Sequence, residues 1–355
     1  MIEELTIYVE KVKESKLASL DRDQLNFGKQ FSDHMFVVDY EQGEWKDPSI
    51  VPFRNISLNP ATSFIHYGQS IFEGLKAHRG QNGEILVFRP GMNLKRLNSS
   101  GNRLCMAELP EDIYFSGLKE LLKLDKDWVP NGDDASLYIR PFMFGTEPFL
   151  GVKASDSYRF MIITSPSGKY YSKPVRVKIE KGYVRASKGG TGAAKAAGNY
   201  AASLKPAQLA KAEGYDQLIW TDAQNHELIE EAGTMNIMFV IGGKLITPAL
   251  SGSILPGITR DSILSLARSF DIDVEERPVR VDELVKAAEN GALSEAFGVG
   301  TAATISHIET IAHDGIDYKL SHVEDAPIAN RIKKGLDDIK RGRLEDKFGW
   351  NLLID

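Results

Sequence analysis

The chain of 355 residues carries 43 Lys and Arg against 49 Asp and Glu, a net charge of −6, with 42% hydrophobic and 26% charged residues. That length allows two domains with cores of their own, and the acidic balance argues against a nucleic-acid partner while leaving room for a local basic pocket. The single cysteine, Cys105, excludes an intrachain disulfide and a cysteine-based metal cluster, and no metal site is expected.

The N-terminal "MIEELTIYVEKVKESKL" has Glu3 and Glu4 where a signal peptide needs basic residues, and no apolar run approaches the roughly 20 residues of a membrane span. A cytoplasmic protein without a membrane partner is expected. Residues 1–26 read as a polar, partly helical arm. From "FVVDYEQGEW" through "EILVFRP", short β-rich runs separated by Gly and Asn suggest hairpins. "GMNLKRLNSSGNRLCM" and "PEDIYFSGLKELLKLDKDWV" have helical spacing, the second opening on Pro110 and acids, and Cys105 at the end of the first reads as a buried, inert small residue. "ASLYIRPFMF" and "YRFMIITSP" are strands. The segment "SPSGKYYSKP", rich in Ser, Gly, Pro and Lys, reads as a linker. This divides the chain into a smaller N-terminal α+β domain, 1–164, a linker, 165–174, and a larger C-terminal α+β domain, 175–355.

The second half opens on the strand "VRVKIEKGYVRA" and the Gly/Ala-rich "KGGTGAAKAAGNY", followed by a helix ending at Gly214. "QLIWTDAQNHELIEEAG" and "NIMFVIGGKLITPAL" read as hairpins turning at Gln224-Asn225 and Gly242-Gly243. Helices over Thr259 to Phe270 and "VDELVKAAENG" precede strands around "LSEAFGVGTAATISHI", and "APIANRIKKGLDDIKRG" is helical. Hairpins with interspersed helices point to α+β rather than a doubly wound sheet.

Lys195 stands alone among small residues in that Gly/Ala run. Three readings compete for it. It can be a solvated loop lysine, or a phosphate-cradling lysine, although that chemistry wants a hydroxyl residue next and Ala196 follows. It can also be an amine that a flat aldehyde-bearing ring must reach, as in a pyridoxal phosphate site. Such a site also needs a carboxylate for the pyridine nitrogen, donors for the phosphate and a partner for the ring hydroxyl. "ELIEEAGTMN" offers Glu230 and Glu231, of which strand alternation should turn one inward and one outward; adjacent glutamates are also what a solvated strand end contains. "SGSILPGITR" leads into a helix N-terminus that favours an anion, and "FGVGTAATI" adds free N–H groups and the Thr301 hydroxyl. Each segment equally fits a capped turn.

"AAKAAGNY", "EEAGTMNI", "GSILPGITR", "FGVGTA", "HYGQSIFEGLKA", "FRPGMNLKRL" and "SLYIRP", in order from about Phe27 to the C-terminus, together resemble the branched-chain amino acid aminotransferases of the fold-type IV pyridoxal phosphate enzymes, in their longer version. The resemblance implies a two-domain, D-amino acid aminotransferase-like α+β fold, usually a homodimer. It implies a reversible ping-pong transfer of the amino group between L-leucine, L-isoleucine or L-valine and 2-oxoglutarate. It makes Lys195 the Schiff-base lysine and Tyr200 the partner of the ring hydroxyl. It assigns Glu231 to the pyridine nitrogen, and Arg96, the Ile254 backbone and Thr301 to the phosphate. Thr234 and the Ala302 backbone would receive the substrate carboxylate, and Phe27, Tyr67, Phe72 and Tyr138 would form an aromatic wall with Arg140 nearby. D-amino acid aminotransferase and aminodeoxychorismate lyase share the fold but are usually shorter and lack the "HYGQSIFEGLKA" and "SLYIRP" pairing. Where longer relatives, notably mammalian ones, often carry a Cys-X-X-Cys pair after the phosphate threonine, this chain has Ala303, Thr304, Ile305 and Ser306.

Overall fold

A computed structural model describes residues 5–22, 24–169, 173–320, 324 and 326–355. The chain forms two compact units: Met1–Tyr170 with Ala194–Ala197 and Ile339–Asp355, and Tyr171–Ala193 with Gly198–Asp338.

The first unit is built on a nine-stranded sheet among the described residues. Its order is Tyr8–Val9, Glu44–Pro52, His34–Glu41, Tyr158–Ser167, Ser136–Gly145, Leu75–Arg79, Ile85–Phe88 and Asn351–Ile354, with Ser70–Phe72 also pairing Ser136–Gly145. Strand alternation sorts the side chains. Along Ser136–Gly145, Leu137, Ile139 and Met143 enter the main core. There they meet Leu94 and Leu97 of the helix Pro90–Arg103, and Leu118 and Leu121 of the helix Glu111–Leu124. The intervening Tyr138 and Arg140 belong to the opposite face, where Phe142 and Phe144 pack with Met35 and Met161.

The second unit has its own nine-stranded sheet among the described residues. Ile229–Ala232, Gln217–Thr221, Val175–Ile179, Thr304–His313, Leu293–Gly300 and Met235–Ile241 follow one another, and the last pairs back to the first, so these strands close into a barrel. Lys244–Pro248, Val274–Arg277 and Ile316–Lys319 extend it, and Val177, Ile219, Ile237, Phe239 and Ile311 lie in its core. Gly242 and Gly243, at φ of +58° and +82°, make the tight turn between Met235–Ile241 and Lys244–Pro248 that their sequence predicts. In the other hairpin Asp222 gathers the N–H groups of Gln224, Asn225, Glu227 and Leu228. The helices Ile258–Ser269, Val281–Glu289 and Pro327–Lys340 stand where the sequence predicts them. The α+β expectation is met, and among the described residues no helix is long and apolar enough to cross a membrane.

Four local expectations differ. The described part of the N-terminal arm is mostly extended, with a strand at Tyr8–Val9 and one 3-10 turn at Lys16–Ser19, because Asp33 and His34 bind the Lys16 and Val12 N–H groups instead of a helix forming. Cys105 is exposed, at φ +55°, since the helix ends at Arg103 and the chain turns there. The strand expected over "VRVKIEKGYVRA" stops at Ile179, where the Glu180 carboxylate takes the N–H groups of Gly182 and Tyr183. The units also divide the chain differently from 1–164, 165–174 and 175–355. Ser165–Ser167 continue a strand, residues 170–172 lie outside the described residues, and Asn351–Ile354 returns to pair Ile85–Phe88 of the first unit.

Gly117 sits in the helix Glu111–Leu124 where a Cβ would lie 2.7 Å from two ring carbons of the fully buried Phe36. Gly117→Ala gains about 1 kcal/mol of helix propensity and loses about 1–3 kcal/mol to overpacking. Denaturant unfolding should therefore show a net loss on the order of 1 kcal/mol. A more stable variant would mean that the Phe36 ring yields.

Candidate active site

Two groups of side chains, one in each unit, account for the residues singled out in the sequence. In the first unit the backbone of Lys195 is tied down on both sides. Its N–H donates to Ser100 Oγ at 2.9 Å, and its C=O accepts from the Phe72 N–H at 3.1 Å. The neighbouring Ala196 bridges Ile71. Ala194 and Ala196 are buried, which shows why the segment must be small: larger side chains would hold it off the strand Ser70–Phe72. Lys195 is therefore part of the first unit, not of the C-terminal domain as expected from its place in the sequence.

Lys195 Nζ stands 4.7 Å from the centroid of the Phe72 ring. The next residue, Glu73, has a fully buried carboxylate that accepts from Arg96 Nε and Nη2, each at 2.7 Å, and from Asn93 Nδ2 at 2.8 Å. A fork of this kind is the strongest geometry a guanidinium offers a carboxylate. Burial first, and then the Arg96 charge, bring the Lys195 amine down from its ordinary 10.5 to about 8, while Glu73 and Tyr138 pull the other way.

Arg140 Nη2 donates to the Tyr138 hydroxyl at 3.0 Å, and its guanidinium carbon lies 4.7 Å from the Phe72 centroid and 5.2 Å from that of Tyr138. Its buried Nε has no hydrogen-bond partner among the described residues. Phe27 meets Tyr138 edge-on, with centroids 4.8 Å apart. Gly74 makes room for that tyrosine, since a Cβ there would lie 2.0 Å from its hydroxyl oxygen. Phe27, Phe72, Tyr138, Arg140, Arg96 and Lys195 thus come together. Tyr67 does not join them: it is 44% exposed, and its hydroxyl donates to the Leu150 carbonyl.

In the second unit Glu231 lines a small cleft with Tyr200, Thr234, Leu255 and Arg185. Its Oε1 accepts from Asn236 Nδ2 at 3.0 Å and from the Leu255 N–H at 3.1 Å, and Arg185 Nε lies 2.5 Å from its Oε2. That last contact is an ion pair without the direction of a hydrogen bond, because Arg185 Nε has no aligned acceptor. The Arg185 Nη2 donates to the carbonyls of Gly192, at 2.9 Å, and Ser253. Ile254 follows Ser253, and its N–H donates to no group among the described residues. Thr301 and Ala302 form the turn between Leu293–Gly300 and Thr304–His313, and Thr234 is exposed in the turn after Gly233.

The alternation expected for the two glutamates fails. Trp220 pairs with Glu231 but Thr221 pairs with Ile229, so Glu230 is the extra residue of a β-bulge. Both side chains are buried, at 7% and 3% exposure, and both bind the segment Ser253–Leu255. Sequence reasoning also missed Arg185 and Glu73. The first stands in "VRASKGG" shortly before Lys195 with nothing to mark it as buried, and the second lies inside "FEGLKA", a motif used only for its aromatic residue.

The family model for amino-transferase class IV matches residues 70–311. Branched-chain-amino-acid aminotransferase 2 of Bacillus subtilis is 46% identical over 349 residues, 97% of this chain and 96% of its own. Among solved structures, the branched-chain aminotransferase of the archaeon Thermoproteus uzoniensis with norvaline superposes with a TM-score of 0.75 at 27% identity, covering 91% of this chain and 100% of its own. That of Escherichia coli gives 0.73 at 26%, covering 91% and 99%.

Arg96→Ala strands the buried Glu73 carboxylate with Asn93 as its remaining side-chain donor. Chemical denaturation should show a loss of about 3 kcal/mol, most of it recovered in the double variant Arg96→Ala/Glu73→Gln. A single-variant loss below about 1 kcal/mol, the range of an exposed pair, would mean that the fork does not hold the first unit together.

Proposed function

The chain belongs to the branched-chain amino acid aminotransferase family of the class IV, fold-type IV aminotransferases, and from that premise we propose that it exchanges the amino group between L-leucine, L-isoleucine or L-valine and 2-oxoglutarate by a ping-pong route dependent on pyridoxal 5′-phosphate. The observation that carries this reading is the Lys195 amine, buried enough to lose its proton near pH 8, beside an aromatic ring and a buried ion pair.

The residues fit that cofactor. A lysine amine with a lowered pKa suits a covalent anchor, and Glu231, held by two hydrogen bonds and a cation, suits a carboxylate that must stay ionised against a ring nitrogen. The Ile254 N–H just before the helix Ile258–Ser269, without an acceptor among the described residues, the Thr301 hydroxyl and the buried Arg185 suit a phosphate. We assign Arg96, on the Lys195 side, to the phosphate as well, and Tyr200 to the ring hydroxyl. When bound, the cofactor supplies an electron-withdrawing ring that acidifies the substrate's Cα. Lys195, neutral, takes the proton from Cα and returns it in the reverse half-reaction. Thr234 and the Ala302 backbone receive the α-carboxylate.

Leucine brings an apolar side chain and 2-oxoglutarate a second carboxylate, so one recognition surface must serve both. Phe27, Phe72 and Tyr138 offer the apolar wall, and Arg140, with an unpartnered buried Nε, offers a donor to the carboxylate. The norvaline held by the Thermoproteus relative is likewise aliphatic, which supports this substrate class. Ile65, Tyr67, Phe149, Leu150 and Val152, the last 85% exposed, form an apolar surface around the Tyr67–Leu150 contact that a second copy would cover, supporting a homodimer.

Lys195→Ala should lower glutamate formation from leucine and 2-oxoglutarate by at least about 10²-fold while leaving the circular dichroism spectrum intact, and Glu231→Gln should slow turnover without loss of fold. Near-parental turnover in Lys195→Ala would end the assignment.

A further inference from the structure

The bulge in Ile229–Ala232 delivers a second carboxyl, Glu230, to the segment that also meets Glu231. Bulges beside functional sites re-aim side chains, and here the extra residue is an acid that no role above uses. Its Oε1 accepts from the Ser253 hydroxyl, while its Oε2 is buried with no hydrogen-bond partner among the described residues. Ser253 is held from several directions. Ser251 Oγ lies 2.8 Å from Ser253 Oγ, Arg185 binds the Ser253 carbonyl, and Gly192 packs so tightly that a Cβ there would lie 2.3 Å from that carbonyl oxygen. The residue so fixed immediately precedes Ile254, whose N–H donates to no group among the described residues.

We propose that Glu230 is a positioning residue of the Ser251–Leu255 anion turn, holding it through Ser253 and gating anion binding there by its own state of charge. The proposal rests on the reading of this turn as a phosphate site. The groups facing Glu230 are Ser253 and Arg185, which favour its ionised form, and Asp222, which opposes it, with the Glu231 carboxyl next to it in the strand. Burial is the largest influence and raises the carboxyl above its ordinary range. In the neutral form the carboxyl still accepts from Ser253 and adds no charge beside the turn. As pH rises it ionises, and a negative charge then stands one residue contact away from a bound anion.

Inorganic sulfate, a dianion throughout, is the probe. Isothermal titration of the full-length chain without added cofactor, from pH 4.5, the carboxyl's ordinary value, up to about pH 8.5, should show sulfate affinity falling on the order of tenfold more in the parent than in Glu230→Gln. Glu230→Gln keeps the acceptor for Ser253 and cannot ionise, so any pH dependence that it retains belongs to other groups. Pyridoxal 5′-phosphate should displace the sulfate. Superimposable pH profiles, with sulfate still displaced, would overturn the proposal and leave the phosphate reading standing. No sulfate binding by the parent, or sulfate that pyridoxal 5′-phosphate does not displace, would overturn both.

Discussion

The fork between Glu73 and Arg96 is the interaction on which the first unit's chemistry depends. A carboxylate with no exposure is tolerated only because it is fully paired, and Arg96 and Asn93 together occupy its oxygens. That pairing fixes the helix Pro90–Arg103 against the strand segment Ser70–Phe72, and the same helix supplies Ser100 to the Lys195 backbone. The lysine is thus held by the elements that the ion pair joins. Its amine feels a nearby cation whose charge is balanced but not removed, and burial does the rest of the work of keeping it easily deprotonated.

The second unit solves a related problem by bending a strand. A regular strand would send Glu230 and Glu231 to opposite faces. The bulge brings both to the same loop, where Glu231 meets an arginine and two N–H donors, while Glu230 has one hydroxyl and an oxygen without a hydrogen-bond partner among the described residues. Burial raises the Glu230 carboxyl above its ordinary range, and the two adjacent carboxyls have different surroundings, the pattern that marks divided roles in a site.

Much of this was legible in the sequence where local chemistry decides the outcome. Gly242-Gly243 specified a turn, the Pro110 and acid signals opened a helix, and the small residues around Lys195 signalled a close approach. The less legible parts depend on long-range contacts. No local pattern announces that Lys195 bonds to Ser100 and Phe72 and so belongs with the first unit, or that Asn351–Ile354 pairs with Ile85–Phe88. Glu73 reads as a surface acid until Arg96 is placed beside it, and the bulge is set by pairing to Gln217–Thr221, which the residues of Ile229–Ala232 alone do not encode. Among the site residues, Phe27 meets Tyr138, and Arg140 lies over the rings of Tyr138 and Phe72, whereas Tyr67 is exposed and donates to the Leu150 carbonyl.

Burial and the Arg96 charge keep the Lys195 amine easily deprotonated, as the proposed role of a base requires. Its titration can be followed directly by NMR in the full-length chain without added cofactor, labelled with 13C at the lysine Cε, with the resonance assigned from its loss in Lys195→Arg. The midpoint should fall near pH 8. A midpoint at the ordinary lysine value of 10.5 would contradict it.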